Sequence, residues 1–254
     1  MAQRLNFDEF FSRSADALSE DSELGMALAR LPKVSADGPW LAGGALRRTL
    51  MRQSLDSDFD FFFASDVQFN KFCEAIKKAG GWQVSKNDHN TTFRLPSVAP
   101  EPTGEDEFSP YKPELTIQAI TTQWYESPEA VVESFDFTLC QFAYDGTDLI
   151  CGDYALWDLG RKRLVPHRLS FATSSLRRLL KYTKQGFTIC GGGLANLLEQ
   201  VLERPEIIHA ETQYIALSLL THLRCPRPTL GQSRAVARRC RKKADCVAWR
   251  GAVP

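Results

Sequence analysis

Two aspartates separated by a single residue, Asp58 and Asp60, are the side chains in this sequence best suited to chemistry. They lie in a phenylalanine-rich segment that reads Ser-Asp-Phe-Asp-Phe-Phe-Phe over residues 57–63. Because side chains alternate along a strand, both carboxylates are expected on one face. Two like charges held together on an apolar strand repel each other, and a divalent cation removes that conflict. Carboxylate oxygens suit Mg²⁺, so the pair predicts a magnesium site.

A glycine pair, Gly43 and Gly44, precedes the aspartates in a pattern that points to phosphate binding. A short strand is predicted over residues 40–42, and a helix over 45–53. Glycine lets the backbone approach phosphate oxygens, and the first amides of a helix have no partner within the helix. The predicted acidic strand over 58–63 comes next. This order places a phosphate site directly before a metal site.

The elements around these motifs alternate between strands and helices up to about residue 165. Helices are predicted over 7–31 and over 66–79 with Asp66 as N-cap, and a short helix is predicted to begin with Ser127 as cap and Pro128 in the first turn. Strands are predicted around Val84 and over 91–95, 114–120, 137–144 and 149–151. The proline- and acid-rich stretch 96–113 predicts an exposed loop. Further helices are predicted over 154–159, 174–185, 194–202 and 211–223, with residues 191–193 as a helix-ending hinge.

The glycine pair and the acidic strand together resemble the DNA polymerase β superfamily of nucleotidyltransferases. Its signature is a hydrophobic residue, Gly-Gly or Gly-Ser, a short helix, and Asp-x-Asp/Glu on a strand. The chain is most similar to the head and neck of bacterial-type tRNA nucleotidyltransferases, the CCA-adding enzymes, over about residues 38–190. The similar motifs lie at residues 43–47, 91–94, 136–138, 176–177 and 186–189.

This resemblance implies an α+β fold. A polymerase β-like nucleotidyltransferase head, with a mixed sheet and flanking helices, is expected over 1–165. A small helical neck-like domain over 166–223 and a basic tail over 224–254 would follow.

The resemblance also implies a reaction, the transfer of a nucleoside monophosphate from an NTP to a hydroxyl group. Asp58 and Asp60 would hold two Mg²⁺ ions, one at the attacking hydroxyl and one at the leaving pyrophosphate. A third acid is usual on a neighbouring strand, and Glu114 is the first choice because it opens a predicted strand. Asp136 is the second choice, although the resemblance assigns it to the ribose. Nucleotide contacts are expected from Gly43, Gly44, Arg47, Arg94, Asp136 and Arg177.

The chain departs from the CCA-adding pattern at several of its motifs. Arg48 stands where the family has aspartate, and Ser134-Phe135 stand where it has two arginines. Thr173-Ser174 occupy the acidic places of the neck motif that reads the incoming base. The region after residue 190 is also too short for the family's body and tail. Nucleotidyl transfer is therefore expected, but not CCA addition by the usual protein-template mechanism.

The composition of the 254 residues is that of a globular protein, with 43% hydrophobic and 24% charged residues. No apolar run is long enough to span a bilayer, and the polar N-terminus does not read as a signal peptide. Seven cysteines without a CxxC pair favour free thiols in a reducing compartment and argue against a zinc site. A cytoplasmic protein that is not membrane-bound is therefore expected.

Charge is distributed unevenly although the formal net charge is zero. Residues 224–254 contain nine lysines or arginines and one acid, which favours a polyanion such as RNA as the acceptor. The resemblance to CCA-adding enzymes adds a tRNA 3′ end as one such acceptor. A solvated, poorly ordered terminus explains the same composition. Two other functions stay open: a non-catalytic nucleotide- or RNA-binding module, and transfer to a protein or small molecule.

Overall fold

The computed structural model describes residues 2–7, 9, 22–100, 111–170 and 172–202, which fall into two compact units divided after Ser170. The strands of the first unit are β1 Gln3–Asn6, β2 Trp40–Ala42, β3 Phe59–Phe62, β4 Trp82–Lys86, β5 Asn90–Leu95, β6 Leu115–Ile120, β7 Phe142–Tyr144 and β8 Asp148–Cys151. Its helices are α1 Glu23–Leu28, α2 Gly44–Leu50, α3 Asp66–Lys78, α4 Pro128–Glu133 and α5 Ala155–Gly160, with a 3₁₀ turn at Thr138–Cys140.

The eight strands of the described ranges form one mixed sheet in the order β1-β8-β7-β2-β3-β6-β5-β4. β3 and β6 run parallel, and the other neighbouring strands run antiparallel. The register places Ala42 opposite Asp60 across β2 and β3, and Asp60 beside Gln118 across β3 and β6. The predicted α+β class, a mixed sheet with flanking helices, is confirmed.

One face of the sheet buries the odd-numbered phenylalanines of the acidic segment against α3. The ring of Phe61 lies 4.6 Å from that of Phe72, and the ring of Phe63 lies 5.1 Å from it. Full burial of such a side chain contributes roughly 1.5–3 kcal/mol. This packing fixes which way the intervening aspartates point, because neighbouring side chains of a strand project from opposite faces.

The other face of the sheet packs against α4, and it is the face that carries the aspartates. Its buried cluster comprises Trp40, Ala42, Phe62, Tyr125, Val131, Val132, Ala143 and Ile150. Ser127 caps α4 as predicted, because its hydroxyl accepts a hydrogen bond from the amide of Ala130 at 3.3 Å. Asp60 precedes Phe62 by two residues on β3, so the carboxylates stand at the border of this apolar cluster.

Several local predictions need correction. The cap of α3 is Ser65, not Asp66, because the Ser65 hydroxyl accepts a hydrogen bond from the amide of Gln68 at 3.3 Å. The strand β1 was not predicted, since its four residues show no alternation and its order comes from pairing with β8. In the predicted strand over 137–144, only Phe142–Tyr144 is strand, and the 3₁₀ turn comes before it. Of the predicted helix over 7–31, residues 8 and 10–21 lie outside the described residues.

The second unit contains two described helices, α6 Ala172–Lys184 and α7 Gly191–Leu202, which pack against each other. Gly186, with φ of +87°, ends the first of them, and the rings of Tyr182 and Phe187 lie 6.2 Å apart. Residues 191–193 form the first turn of α7 instead of the predicted hinge. The predicted helix over 211–223 and the basic tail lie outside the described residues, and the predicted domain bounds stay a prediction.

Among the helices of the described ranges, none combines the length and apolar character that crossing a membrane requires.

Candidate active site

The turn between β2 and α2 brings the glycine pair directly against the aspartate strand. Gly43 has φ of +82° and ψ of −127°, a conformation that favours glycine. A β-carbon built on Gly43 would stand 3.3 Å from Oδ2 of Asp60 and 3.6 Å from the ring of Phe135. A β-carbon on Gly44 would stand 3.2 Å from Oγ of Ser57. The two sequence motifs therefore meet in space, and their contact leaves little room for a side chain at either glycine.

Asp58 is held by an amide from the neighbouring strand. Nε2 of Gln118 donates a hydrogen bond to Oδ2 of Asp58 at 2.5 Å. Oε1 of Gln118 in turn accepts a hydrogen bond from Nδ2 of Asn90 on β5 at 3.2 Å. Residues opposite each other in the sheet share a face, so Gln118 projects from the same face as Asp60.

Gln118 is not among the site residues predicted from the sequence. The alternation of β6 predicts that residue 118 shares a face with residues 116 and 120. Nothing in that pattern identifies β3 as the neighbouring strand, so the contact with Asp58 follows only from the tertiary structure.

Glu114 lines a cavity that Asp58 also borders, but its carboxylate pairs with Arg94. Oε1 of Glu114 lies 3.3 Å from Nη1 of Arg94, and both side chains are about half exposed. Within the described ranges, no group of three or more His, Cys, Asp or Glu side chains is arranged to hold a metal ion. The metal role of Glu114 and the nucleotide contact of Arg94 remain predictions.

Asp136 and Arg47, two of the predicted nucleotide contacts, are buried inside the first unit. Their side chains are only 5% and 2% exposed. The backbone carbonyl of Asp136 accepts a hydrogen bond from the amide of His167 at 2.8 Å. The 3₁₀ turn that follows Asp136 packs against α2, the helix that carries Arg47. Contact of either side chain with a nucleotide remains a prediction.

Arg177, the remaining predicted nucleotide contact, lies in the second unit. It is exposed on α6, where Lys181 and Lys184 are also exposed. Within the second unit this helix presents several cations to solvent, and a nucleotide role for Arg177 stays a prediction.

A cavity of about 520 Å³ opens beside Asp58 at the N-terminal ends of β3 and β6. Its charged lining consists of Glu23, Arg30, Asp56, Asp58, Lys112 and Glu114. Nη1 of Arg30 donates to the carbonyl of Pro113 at 2.6 Å, and burial lowers the pKa of this guanidinium. Oε2 of Glu23 accepts from the amide of Leu55 at 2.7 Å. These contacts order the residues that line the cavity. Asp58 borders this open space, whereas Asp60 faces the glycine turn.

A known protein family matches more than half of the chain. The model of the family described as "Gabija anti-defense 2 family protein" matches residues 2–162. A curated protein named Gabija anti-defense 2, from Bacillus phage SPbetaL7, is 24% identical over 152 residues. The matched stretch covers 59% of this chain and 34% of that protein, so this chain spans about a third of its relative's length.

Comparison with solved structures identifies the fold. The Thermotoga maritima CCA-adding enzyme complexed with tRNA is similar, with a TM-score of 0.51, 18% identity, and coverage of 79% of this chain and 46% of that one. A CCA-adding enzyme in complex with ATP gives a TM-score of 0.51 at 17% identity, covering 85% of this chain and 51% of the other. The chain thus spans about half the length of these enzymes. At such identities the likeness shows a nucleotidyltransferase-like fold and nothing about substrate.

Proposed function

The chain belongs to the Gabija anti-defense 2 family and has a nucleotidyltransferase-like fold, and from this premise we propose that it transfers a nucleoside monophosphate from an NTP to a hydroxyl group on RNA. The observation that carries the proposal is the contact between the glycine turn and the aspartate strand. The site of a β-carbon on Gly43 lies 3.3 Å from Asp60, so backbone and carboxylate can meet the same phosphate chain. An isolated Gly-Gly or Asp-x-Asp motif would not have this geometry.

The donor set fits Mg²⁺. Asp60 lies on β3 and Asp58 directly precedes its first residue, so alternation along the extended chain would direct both carboxylates to one side. Magnesium is commonly held by one or two carboxylates together with substrate phosphates and water, so two aspartates suffice without a third acid. When bound, the metal supplies charge neutralisation at the phosphates and lowers the pKa of the attacking hydroxyl. Asp58 and Asp60 are the residues that would hold it.

The surrounding residues orient the Asp58 carboxylate and place apolar rings beside Asp60. The hydrogen bond from Gln118 fixes the direction of the Asp58 carboxylate, which pre-organises it for a cation. The rings of Phe62 and Phe135 lie 5.8 Å apart beside Asp60 and form an apolar wall. An apolar wall lowers the local dielectric and strengthens the attraction between carboxylate and cation.

RNA is the acceptor that the charge distribution favours. The tail over 224–254 has nine lysines or arginines and a single acid, and such a segment attracts a polyanion. One of the similar solved structures is a CCA-adding enzyme complexed with tRNA. We also propose an anti-defense role directed at Gabija, following the name of the relative from Bacillus phage SPbetaL7.

The test is incorporation of each labelled NTP in the presence of Mg²⁺, with total RNA or total protein as acceptor. Asp58→Asn and Asp60→Asn keep the side-chain shape but remove the charge, so we expect a loss of rate of about a hundredfold or more. Asp88→Asn, in the exposed turn between β4 and β5, is the matched control and should leave the rate unchanged. Equal incorporation by wild type and the Asp58/Asp60 double variant would contradict the proposal, and label in protein would redirect it to a protein acceptor.

A second function, nucleotide or RNA binding without turnover, is favoured by one observation. Phe135, which stands where the resemblance expects an arginine, places an apolar ring beside Gly43. If the chain binds nucleotides without turnover, calorimetry would detect NTP binding while no label enters RNA or protein.

A further inference from the structure

Two large aromatic side chains project from α5 into solvent. Tyr154, at its start, is 67% exposed and Trp157 is 55% exposed. They are three residues apart, so they are neighbours on the helix surface. Aromatic rings of this size are usually buried, and two exposed side by side form a surface suited to stacking.

An arginine extends this surface. The guanidinium carbon of Arg161 lies 4.0 Å from the centre of the Trp157 ring, and the Arg161 amide donates to the Trp157 carbonyl at 3.2 Å. The guanidinium is planar and stacks on aromatic faces, so ring and cation together present flat surfaces. We name Tyr154, Trp157 and Arg161 the aromatic platform.

The end of α5 holds two further cations next to the platform. Lys162 has φ of +53°, in the left-handed region, and its amide donates to the carbonyl of Leu159 at 3.0 Å. The amide of Arg163 donates to the carbonyl of Asp158 at 2.8 Å. This pair of bonds is the Schellman motif, which fixes the backbone of residues 162 and 163 at the helix end.

The charge around the platform differs from that of the rest of the first unit. Residues 1–170 contain 17 lysines or arginines and 26 aspartates or glutamates. Arg161-Lys162-Arg163 is their only run of three consecutive cations. Of the two acids in residues 153–163, Asp158 is buried, accepts a hydrogen bond from Thr138 at 2.7 Å and lies 3.7 Å from Nε of Arg163, and Asp153 is exposed beside Tyr154. The positive charge that would attract a polyanion is concentrated in this run of three cations, beside the exposed rings.

We propose that the aromatic platform binds single-stranded RNA, with unpaired bases stacked on Tyr154, Trp157 and Arg161 and phosphates at Lys162 and Arg163. Bases of single-stranded RNA stack on aromatic rings and on guanidinium planes, whereas paired bases are not available to them. A protein partner would also be attracted by exposed Trp, Tyr and Arg, but the three-cation run favours a phosphate backbone. This inference rests on the proposed function in one respect. The platform would hold the RNA that the proposed reaction uses as its acceptor.

The test is fluorescence anisotropy of the full chain with a labelled single-stranded RNA oligonucleotide and with an RNA duplex of equal length. We expect Trp157→Ala to weaken single-strand binding roughly tenfold, since one stacked base is lost, and duplex binding to change little. Trp82→Ala is the matched control, because Trp82 is 46% exposed on β4, in the same unit but on another element. Circular dichroism of each variant verifies that it is folded.

A second measurement separates the platform from the basic tail, which every variant retains. RNA containing 4-thiouridine should crosslink to the peptide that carries Tyr154 and Trp157. Unchanged single-strand binding by Trp157→Ala, or an absence of crosslinks at this peptide, would overturn the proposal. Self-association that Trp157→Ala abolishes while RNA binding is unchanged would also overturn it and would assign the surface to a second copy of the chain.

The Asp58→Asn/Asp60→Asn chain distinguishes this inference from the proposed enzyme. If RNA binding depends on Trp157 in a chain that incorporates no nucleotide, the platform stands and only the proposed reaction fails. If wild type incorporates nucleotide while Trp157→Ala binds RNA normally, only the platform fails.

Discussion

Nε2 of Gln118 lies 2.5 Å from Oδ2 of Asp58, so an amide faces the aspartate pair from β6. An amide donor relieves part of the repulsion between two neighbouring carboxylates, which an acid in its place would increase. Asn90 holds the amide in this orientation by donating to its oxygen at 3.2 Å. The first unit therefore stabilises the aspartates through its own side chains.

Replacing this amide by an acid should make stability depend on magnesium. In Gln118→Glu the donor to Asp58 becomes a third negative charge, and we expect a loss of about 1–3 kcal/mol in the free energy of unfolding without metal. Mg²⁺ should then raise the melting temperature of Gln118→Glu by more than that of wild type, because the cation offsets the added repulsion. Thermal unfolding with and without Mg²⁺ measures both effects.

The matched control for this prediction is Gln83→Glu, an exposed position on β4 of the same sheet. It adds the same charge away from the aspartates and should change neither the stability nor its magnesium dependence. Identical magnesium responses in the two variants would show that Gln118 does not face a cation site.

A side chain at Gly43 should disturb Asp60, while one at Gly80 should not. Both glycines have positive φ, +82° and +86°, so alanine costs backbone strain at each, about 1 kcal/mol or more. At Gly43 the added carbon meets Oδ2 of Asp60 at 3.3 Å, whereas at Gly80 it meets nothing within 4 Å. We expect Gly43→Ala to reduce nucleotide incorporation roughly tenfold or more beyond any effect of Gly80→Ala.

Chemical denaturation of both glycine variants, alongside the incorporation assay, separates strain from the local contact. If the two variants lose stability and activity equally, the approach of Gly43 to Asp60 has no functional consequence.

The N-terminal strand should lose part of its anchoring at acid pH. Arg4 lies 2.6 Å from Glu129, 2.9 Å from Asp145 and 3.4 Å from Asp148. Burial raises the pKa of Glu129, but the hydrogen bond and the charge of Arg4 outweigh it, so the pKa is lowered. A carboxylate whose pKa is lowered by folding contributes stability at pH values above the ordinary glutamate pKa. This contribution disappears as the pH falls through the pKa of the folded protein.

We therefore expect Arg4→Met to cost about 1 kcal/mol at neutral pH, since the pair is partly exposed. The difference from wild type should shrink below pH of about 4.3, where glutamate is protonated in the unfolded chain. Urea unfolding across this range tests the expectation, and Glu126→Gln is the exposed control. A difference that does not change with pH would exclude Glu129 as the titrating partner.

The thiols of the described residues should differ sharply in reactivity. Burial raises the pKa of Cys151 to about 12, and Cys140 is also buried, whereas Cys190 is exposed. The thiolate is the reactive form, so iodoacetamide should modify Cys190 in the native protein and leave Cys140 and Cys151 intact. Peptide mass spectrometry after brief labelling measures this, and labelling in urea, where all three should react, is the control.

Local patterns determined a large part of this protein. The strand over 40–42, the glycine turn, the acidic strand and the cap at Ser127 were all predicted, because each depends on residues close together in the chain. Alternation over the predicted strand 58–63 indicated that Asp58 and Asp60 share a face. The strand of the structure begins at Phe59, and the packing of Phe61 on Phe72 directs Asp60 to the opposite face. The resemblance carried by these motifs led to the fold class that the solved structures confirm.

Tertiary structure decided which side chains surround the aspartates. The parallel pairing of β3 with β6 joins segments more than fifty residues apart, and it placed the amide of Gln118 against Asp58. The strand β1 is likewise ordered by its pairing with β8 across the whole unit. Strand register depends on packing between distant segments, so the sequence by itself identified the aspartate pair, and only the folded sheet determined its neighbours.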